Sequence, residues 1–289
     1  LSALASVIVA MSAPAHEERI LALAPHIVEI LFAIGAGDRI VGVGSFADHP
    51  EQARSLPHVA THERLSLEPA LRLRPTVAIA LDRGLARLDE LERLGVRVEV
   101  SHPHTVVEVL DGIVQLGRIV GEEVRAGELE RMLRERLERM RARRPAAAPR
   151  VFYEIWPSPL IAAGGRSFVS DAMRELGFAN VFGEVPMEGP RVSVESVIRA
   201  SPDVVVVTGE GGDAQARVTF WRQWLGKDAR IVVAAYDRIH RPGPRLFDGM
   251  ESLQSDVLAV LASPPPSGPS PTGVRGVSGA STPPVKAGP

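Results

Sequence analysis

The feature that most constrains the fold is an internal duplication. SLEPALRLRPTVAIA (residues 66–80) and SVESVIRASPDVVVV (residues 193–207) align without gaps at an offset of 127, placing Ser66 over Ser193, Glu68 over Glu195, Arg72 over Arg199 and Pro75 over Pro202. Each copy reads as a helix opened by a capping serine, a proline that ends it, and an apolar run suited to a buried strand. A second pair, EILFAIGAGDRI and DAMRELGFANVF, aligns at an offset of 142, with Gly35 over Gly177 and Asp38 over Asn180. A chain that repeats helix and strand units in this way is expected to build two similar α/β lobes. The two offsets differ by 15 residues, and the surplus falls in the first copy, within GVGSFADHPEQARSLPHVATHERL (residues 42–65). Long irregular insertions in compact domains tend to carry function, so this segment is the first candidate for ligand contact.

The rest of the chain extends the pattern. RILAL, PHIVEILFAIG and RIVGVG, then TVAIAL, LARLDELERLG and VRVEV, alternate as strand and helix; RVFYEI at residues 150–155 opens a second series running through SFVSDAMRELG, DVVVVTG and RIVVAAY. That alternation predicts parallel sheets flanked by helices. Between the two series lies VGEEVRAGELERMLRERLERMRARR, in which Val124, Leu129, Met132, Leu133, Leu137 and Met140 recur at helical spacing. Its place between the series favours a single stiff connector over a surface helix of one lobe. The expected organisation is a signal-peptide remnant at 1–15, an N-terminal lobe at 16–118, an interlobe helix at 119–145, a C-terminal lobe at 146–262 and a disordered tail at 263–289.

Composition narrows the function classes. With 289 residues, 45% apolar and 24% charged, the chain can form two modest cores. A formal net charge of −2 leaves no basic surplus for a phosphate backbone, so nucleic acid is not an expected partner. The absence of cysteine removes disulfides and thiolate nucleophiles from these residues, and a lipid anchor through cysteine is not expected. LSALASVIVAM followed by Ser12, Ala13, Pro14 and Ala15 resembles the apolar core and small-residue cleavage site of a signal peptide, which predicts export. No other segment approaches the ~20 apolar residues of a membrane span, so membrane insertion of the mature chain is not expected.

Catalytic signatures are missing: there is no G-x-S-x-G, no P-loop, no H-E-x-x-H and no G-x-G-x-x-G after a strand. GEGGD at 209–213 reads as a loop after a strand, and no enzymatic activity is expected. Of eight histidines, His102 and His104 follow VRVEV, while His49, His58 and His62 share the insertion. Several could converge at strand ends, but their spacing matches no compact metal motif, and no metal ligands are assigned. Phe46 follows RIVGVG and Trp156 follows RVFYEI; each either faces the other lobe at the sheet edge or closes its own core. Arg241, in the loop DRIHRPGPR, could donate several hydrogen bonds to a polar ligand or stand solvated.

Residues 19–81, with RVFYEIWPSPLIAAGG, GPRVSVESVI and RPGPRLFDGMESL in the second lobe, resemble the periplasmic cobalamin-binding proteins of ABC importers, within the wider cobalamin, haem and ferric-siderophore binding superfamily. The resemblance covers about residues 19–262 and implies a class III periplasmic binding protein: two Rossmann-like lobes, one long interlobe helix, and a ligand held in the cleft with little closure. It implies a monomeric extracytoplasmic protein that captures cobalamin or a related corrinoid as transported ligand, not as cofactor, and hands it to an ABC importer permease dimer. Haem or a ferric siderophore is the alternative cargo. Phe46 and His62 fall where such proteins place cleft aromatics, and Arg241 where they place a polar contact; Trp156 is a ligand-contact candidate by its place after RVFYEI alone. Glu68 and Glu195 fall where they present one carboxylate per lobe to the importer. The sequence departs from the pattern twice, with His62 in place of a tryptophan and Gly189 in place of another just before Pro190. Both remove a flat apolar surface from the expected site.

Overall fold

In a computed structural model, residues 18–208 and 214–263 are described. The signal-like segment 1–15, the glycine-rich 209–213 and all of the tail beyond Ser263 lie outside them.

The first lobe runs β1 (Ile20–Ala22), α1 (Pro25–Ala33), β2 (Ile40–Val43), α2 (Leu67–Arg72), β3 (Val77–Ala80), α3 (Leu88–Arg93), β4 (Arg97–Val100) and α4 (Val106–Val120). Its strands form a wholly parallel sheet in the order β2-β1-β3-β4. A 20-residue helix, α5 (Glu123–Ala142), leads to the second lobe. There β5 (Arg150–Pro157), β6 (Leu160–Ala162), α6 (Phe168–Glu175), β7 (Ala179–Asn180), α7 (Val194–Ala200), β8 (Val204–Thr208), α8 (Ala214–Leu225), β9 (Ile231–Ala234), α9 (Tyr236–Ile239) and α10 (Leu246–Ala262) follow. The second sheet has the order β6-β5-β8-β9, with β7 also on β5; only β6 runs antiparallel, as the return arm of a hairpin. The fold is the two-lobed α/β architecture the alternation predicts.

The duplication is visible in the backbone. Gly35 and Gly177, paired at the offset of 142, follow α1 and α6 with φ of +81° and +82°, the left-handed turn that glycine adopts without steric cost. Arg74 and Ser201, paired at the offset of 127, both take positive φ, +47° and +46°, although neither is glycine. Each precedes a proline, which disfavours the right-handed helical region for the residue before it and turns the chain out of the helix. The serine caps are less alike than the sequence implies. Ser193 forms a reciprocal capping box with Ser196, whereas the Ser66 side chain makes no capping hydrogen bond to α2.

The connector also differs from expectation. Residues 119 and 120 still belong to α4, which Gly121 closes in the left-handed conformation, so α5 is shorter than 119–145 and about 30 Å long. Its buried stripe is Ala126, Leu133, Leu137 and Met140. Val124 is 76% exposed and Met132 49% exposed. At about 100° per residue, Val124 lies roughly half a turn from Leu133 and Met132 about a quarter turn, so neither shares the stripe.

Strand alternation decides where the core sits. Ile20, Ala22, Val77 and Ile79 of the first sheet, and Val151, Tyr153, Val204 and Val206 of the second, all belong to a single cluster with α1, α4, α5, α6 and α10. Their alternating neighbours, Leu21, Ala78 and Ala80 in one lobe and Phe152, Val205 and Val207 in the other, feed two separate outer clusters. Each sheet is therefore buried on both faces, as parallel sheets require, and the inner faces share one core. Polar ties reinforce the junction. Val106 N donates to Asp171 Oδ2 at 2.8 Å, and Arg136 on α5 reaches Asp248 and Glu251 on α10 at 2.7 and 2.8 Å.

Candidate functional site

A cleft of about 1040 Å³ opens between the lobes. Much of its lining comes from segments that follow the strands' carboxyl ends: 23–26 after β1, 45–48 after β2, 81–85 after β3, 102–104 after β4, and 236–242 after β9. This is where doubly wound sheets place ligands, because the loops leaving the strands gather there. A volume at the upper end of the ~300–1,000 Å³ usual for small-molecule sites suits a bulky cargo.

Phe46, His62 and Arg241 all line this cleft. Trp156 does not; its indole Nε1 donates to Ser158 O at 3.0 Å on the β5–β6 hairpin, and Ile155 takes the place on the cleft wall. The β5–β6 pairing shifts register between Glu154 and Trp156, so regular alternation is broken at Ile155. Phe46 sits at φ +63° and is 64% exposed, so its ring is presented rather than packed. Gly189 and His62, the two departures from the family pattern, both line the cleft. A side chain at 189 would meet Ile161 Cγ2 at 3.0 Å.

Arg241 is engaged rather than free. It donates to Asp48 at 2.5 and 3.1 Å and to Glu29 Oε1 at 3.2 Å, both in the first lobe. Arg245 adds a contact to Glu29 at 3.4 Å and pairs with Asp237. Burial pushes the Glu29 carboxyl up against the pull of the two arginines, while the hydrogen bond from Arg241 holds Asp48 below the usual carboxylate range. Arg241, itself part of the cleft lining, thus ties the second lobe to the first. Sequence reasoning missed Glu29, although a carboxylate inside the apolar run PHIVEILFA is a signal of a buried charge awaiting a partner.

Histidines cluster at the cleft. His26, His62, His102, His104 and His240 line it, and His49 and His58 do not. His26 is buried, with Nε2 at 3.1 Å from Ser101 O, and desolvation lowers its pKa to about 4. His240 packs against Tyr236 and Tyr153 with ring centroids at 4.1 and 5.6 Å; burial lowers its pKa to about 3. Both rings are neutral at physiological pH. Glu68 and Glu195 lie away from the cleft, exposed in the first turns of α2 and α7, with Arg72 paired to Glu68.

A family model described as periplasmic binding protein matches residues 20–221. The chain is 30% identical over 251 residues to a vitamin B12-binding protein of Vibrio cholerae serotype O1, covering 84% of this chain and 90% of that relative. The crystal structure of the periplasmic vitamin B12 binding protein BtuF of Vibrio cholerae superposes with a TM-score of 0.75 at 28% identity, over 85% of this chain and 98% of that one. The apo form of the periplasmic haem-binding protein RhuT from Roseiflexus sp. RS-1 gives 0.74 at 26% identity, over 84% and 99%.

Proposed function

The chain belongs to the periplasmic binding protein family, and from that premise we propose that it captures cobalamin or a related corrinoid in its interlobe cleft and delivers it to an ABC importer. The observation that carries this reading is the identity to a vitamin B12-binding protein along 84% of the chain. The cleft supports it, being large, lined from both lobes and carrying an exposed aromatic at Phe46. The protein binds without turnover, and the corrinoid is cargo rather than cofactor. It works as a monomer in the periplasm, and among the described residues no helix is long and apolar enough to cross a membrane.

Phe46 and His62 make the apolar and edge contacts to the macrocycle, and Arg241 holds the lobes at the spacing the ligand needs. Glu68 and Glu195 dock the loaded protein on the permease dimer, one carboxylate per lobe. Five histidines at the cleft favour haem as the second reading, because a neutral imidazole can ligate its iron. Gel filtration after mixing with excess cyanocobalamin tests the proposal. Cobalamin absorbance should co-elute with the protein at one equivalent and remain chemically unaltered; co-elution of haem with none of cobalamin would transfer the assignment to haem.

A further inference from the structure

His102 and His104 leave β4 on the first lobe, and Glu188 approaches from the 183–189 loop of the second. One donor atom from each lies within 4.8 Å of the other two, and His104 Nδ1 stands 3.6 Å from Glu188 Oε1. We propose that these three side chains form a binding site for a free divalent transition-metal ion, of the zinc class, that bridges the two lobes at the cleft rim.

The backbone holds the donors in place from both sides. Pro103 fixes φ between the two histidines, and their rings stand 4.4 Å apart, tilted by 43°. His104 N donates to Glu108 Oε2 at 2.7 Å, and Glu108 N donates to Thr105 Oγ1 at 3.1 Å, so the loop is tied to the first turn of α4. Opposite, Gly164 N donates to Glu188 O at 2.8 Å and Arg166 N to Met187 O at 3.2 Å. The close fit of this loop requires glycine at 164, where a Cβ would stand 2.1 Å from Met187 O. With main chains fixed, the side chains remain exposed and able to turn.

The chemistry selects the ion. Metal–ligand bonds of ~2.0–2.2 Å in a tetrahedron put donors about 3.3 Å apart, so the present spacing closes by rotation of exposed side chains alone. Two imidazoles and one carboxylate form an open three-ligand set that favours zinc, copper, nickel or cobalt over calcium or magnesium. A metal held inside a macrocycle needs only one axial imidazole; a carboxylate converging on two imidazoles suits an ion that arrives without ligands of its own. The inference does not depend on the corrinoid reading.

The test uses the full chain after chelation, titrated with Co²⁺ followed by visible absorption and with Zn²⁺ in competition. One ion per chain is expected, with affinity falling at least about tenfold in each of His102→Ala, His104→Ala and Glu188→Gln, since even outer-shell partners cost 10–100-fold. His58→Ala, at an exposed histidine off the cleft, should leave affinity unchanged. Zn²⁺ should raise the melting temperature of the wild type and much less that of Glu188→Gln, the readout of a bridge between lobes. Absence of binding, unchanged affinity in Glu188→Gln, or equal loss in His58→Ala would overturn the site. Cyanocobalamin titration of the same variants is read separately and decides only the cargo.

Discussion

Phe46 and Arg241 both face the cleft, yet they do different work. Burying the exposed face of Phe46 against a ligand contributes roughly 1–2 kcal/mol, so Phe46→Ala should weaken cyanocobalamin binding about tenfold. Its melting temperature should not change, because the ring packs in no core. Arg241→Ala should instead lower stability by roughly 1–3 kcal/mol in denaturant melts, since Glu29 would keep only the longer contact from Arg245. Equal stability of the two variants would contradict the fastening role. Histidines set the pH response. His26 and His240 have folded pKa values of about 4 and about 3, below the 6.5 of the unfolded chain. The unfolded state therefore binds more protons below that value, and stability falls as pH drops from about 6.5, by roughly 2 kcal/mol for each histidine at about pH 5. Glu29 works in the opposite sense, because its raised pKa lets the folded state gain relative stability as its carboxyl protonates. Melting at about pH 7 and about pH 5 should show a clear loss that His240→Leu reduces; a flat profile would show that neither ring is held neutral.

At the scale of elements, the repeated α2 and α7 each present a carboxylate in an exposed first turn, Glu68 and Glu195, with Arg72 and Arg199 four residues on. A carboxylate there stabilises its own helix through the dipole, and the repeat also sets one such charge on each lobe. If the pair meets arginines on a two-fold symmetric permease, Glu68→Lys with Glu195→Lys should abolish uptake while leaving cyanocobalamin affinity within a few-fold of wild type. Uptake that survives the double reversal would remove the docking role. These elements were legible because the repeat fixes helix, proline and strand together. The amphipathic face of α5 was legible only in part: Val124 and Met132 are apolar without being buried, and the true stripe includes the small Ala126, which carries little hydrophobic signal. The register shift in the hairpin of β5 and β6 leaves no period in the sequence, so the sequence does not fix the side that Trp156 takes. The metal-competent trio was hidden for a different reason. His102 and His104 are neighbours in sequence, but Glu188 joins them only through the packing of the second lobe.

For the whole molecule, the decisive property is one inner core shared by both sheets and crossed by α4, α5, α6 and α10. Separating or rotating the lobes would expose that core and break the ties of Val106 to Asp171 and of Arg241 to Asp48, so the packing itself holds the lobes in their relative setting. A preorganised cleft loses little freedom on binding, and affinity then depends on the match between its lining and the cargo. His62 and Gly189 bear on this directly, because both form part of the cleft lining. Calorimetric titration of the purified protein with cyanocobalamin, haem and a ferric siderophore in parallel tests the central claim most directly. The account predicts saturable cyanocobalamin binding at one site per chain, tighter than either competitor; no heat with cyanocobalamin alongside saturable haem or siderophore binding would contradict it.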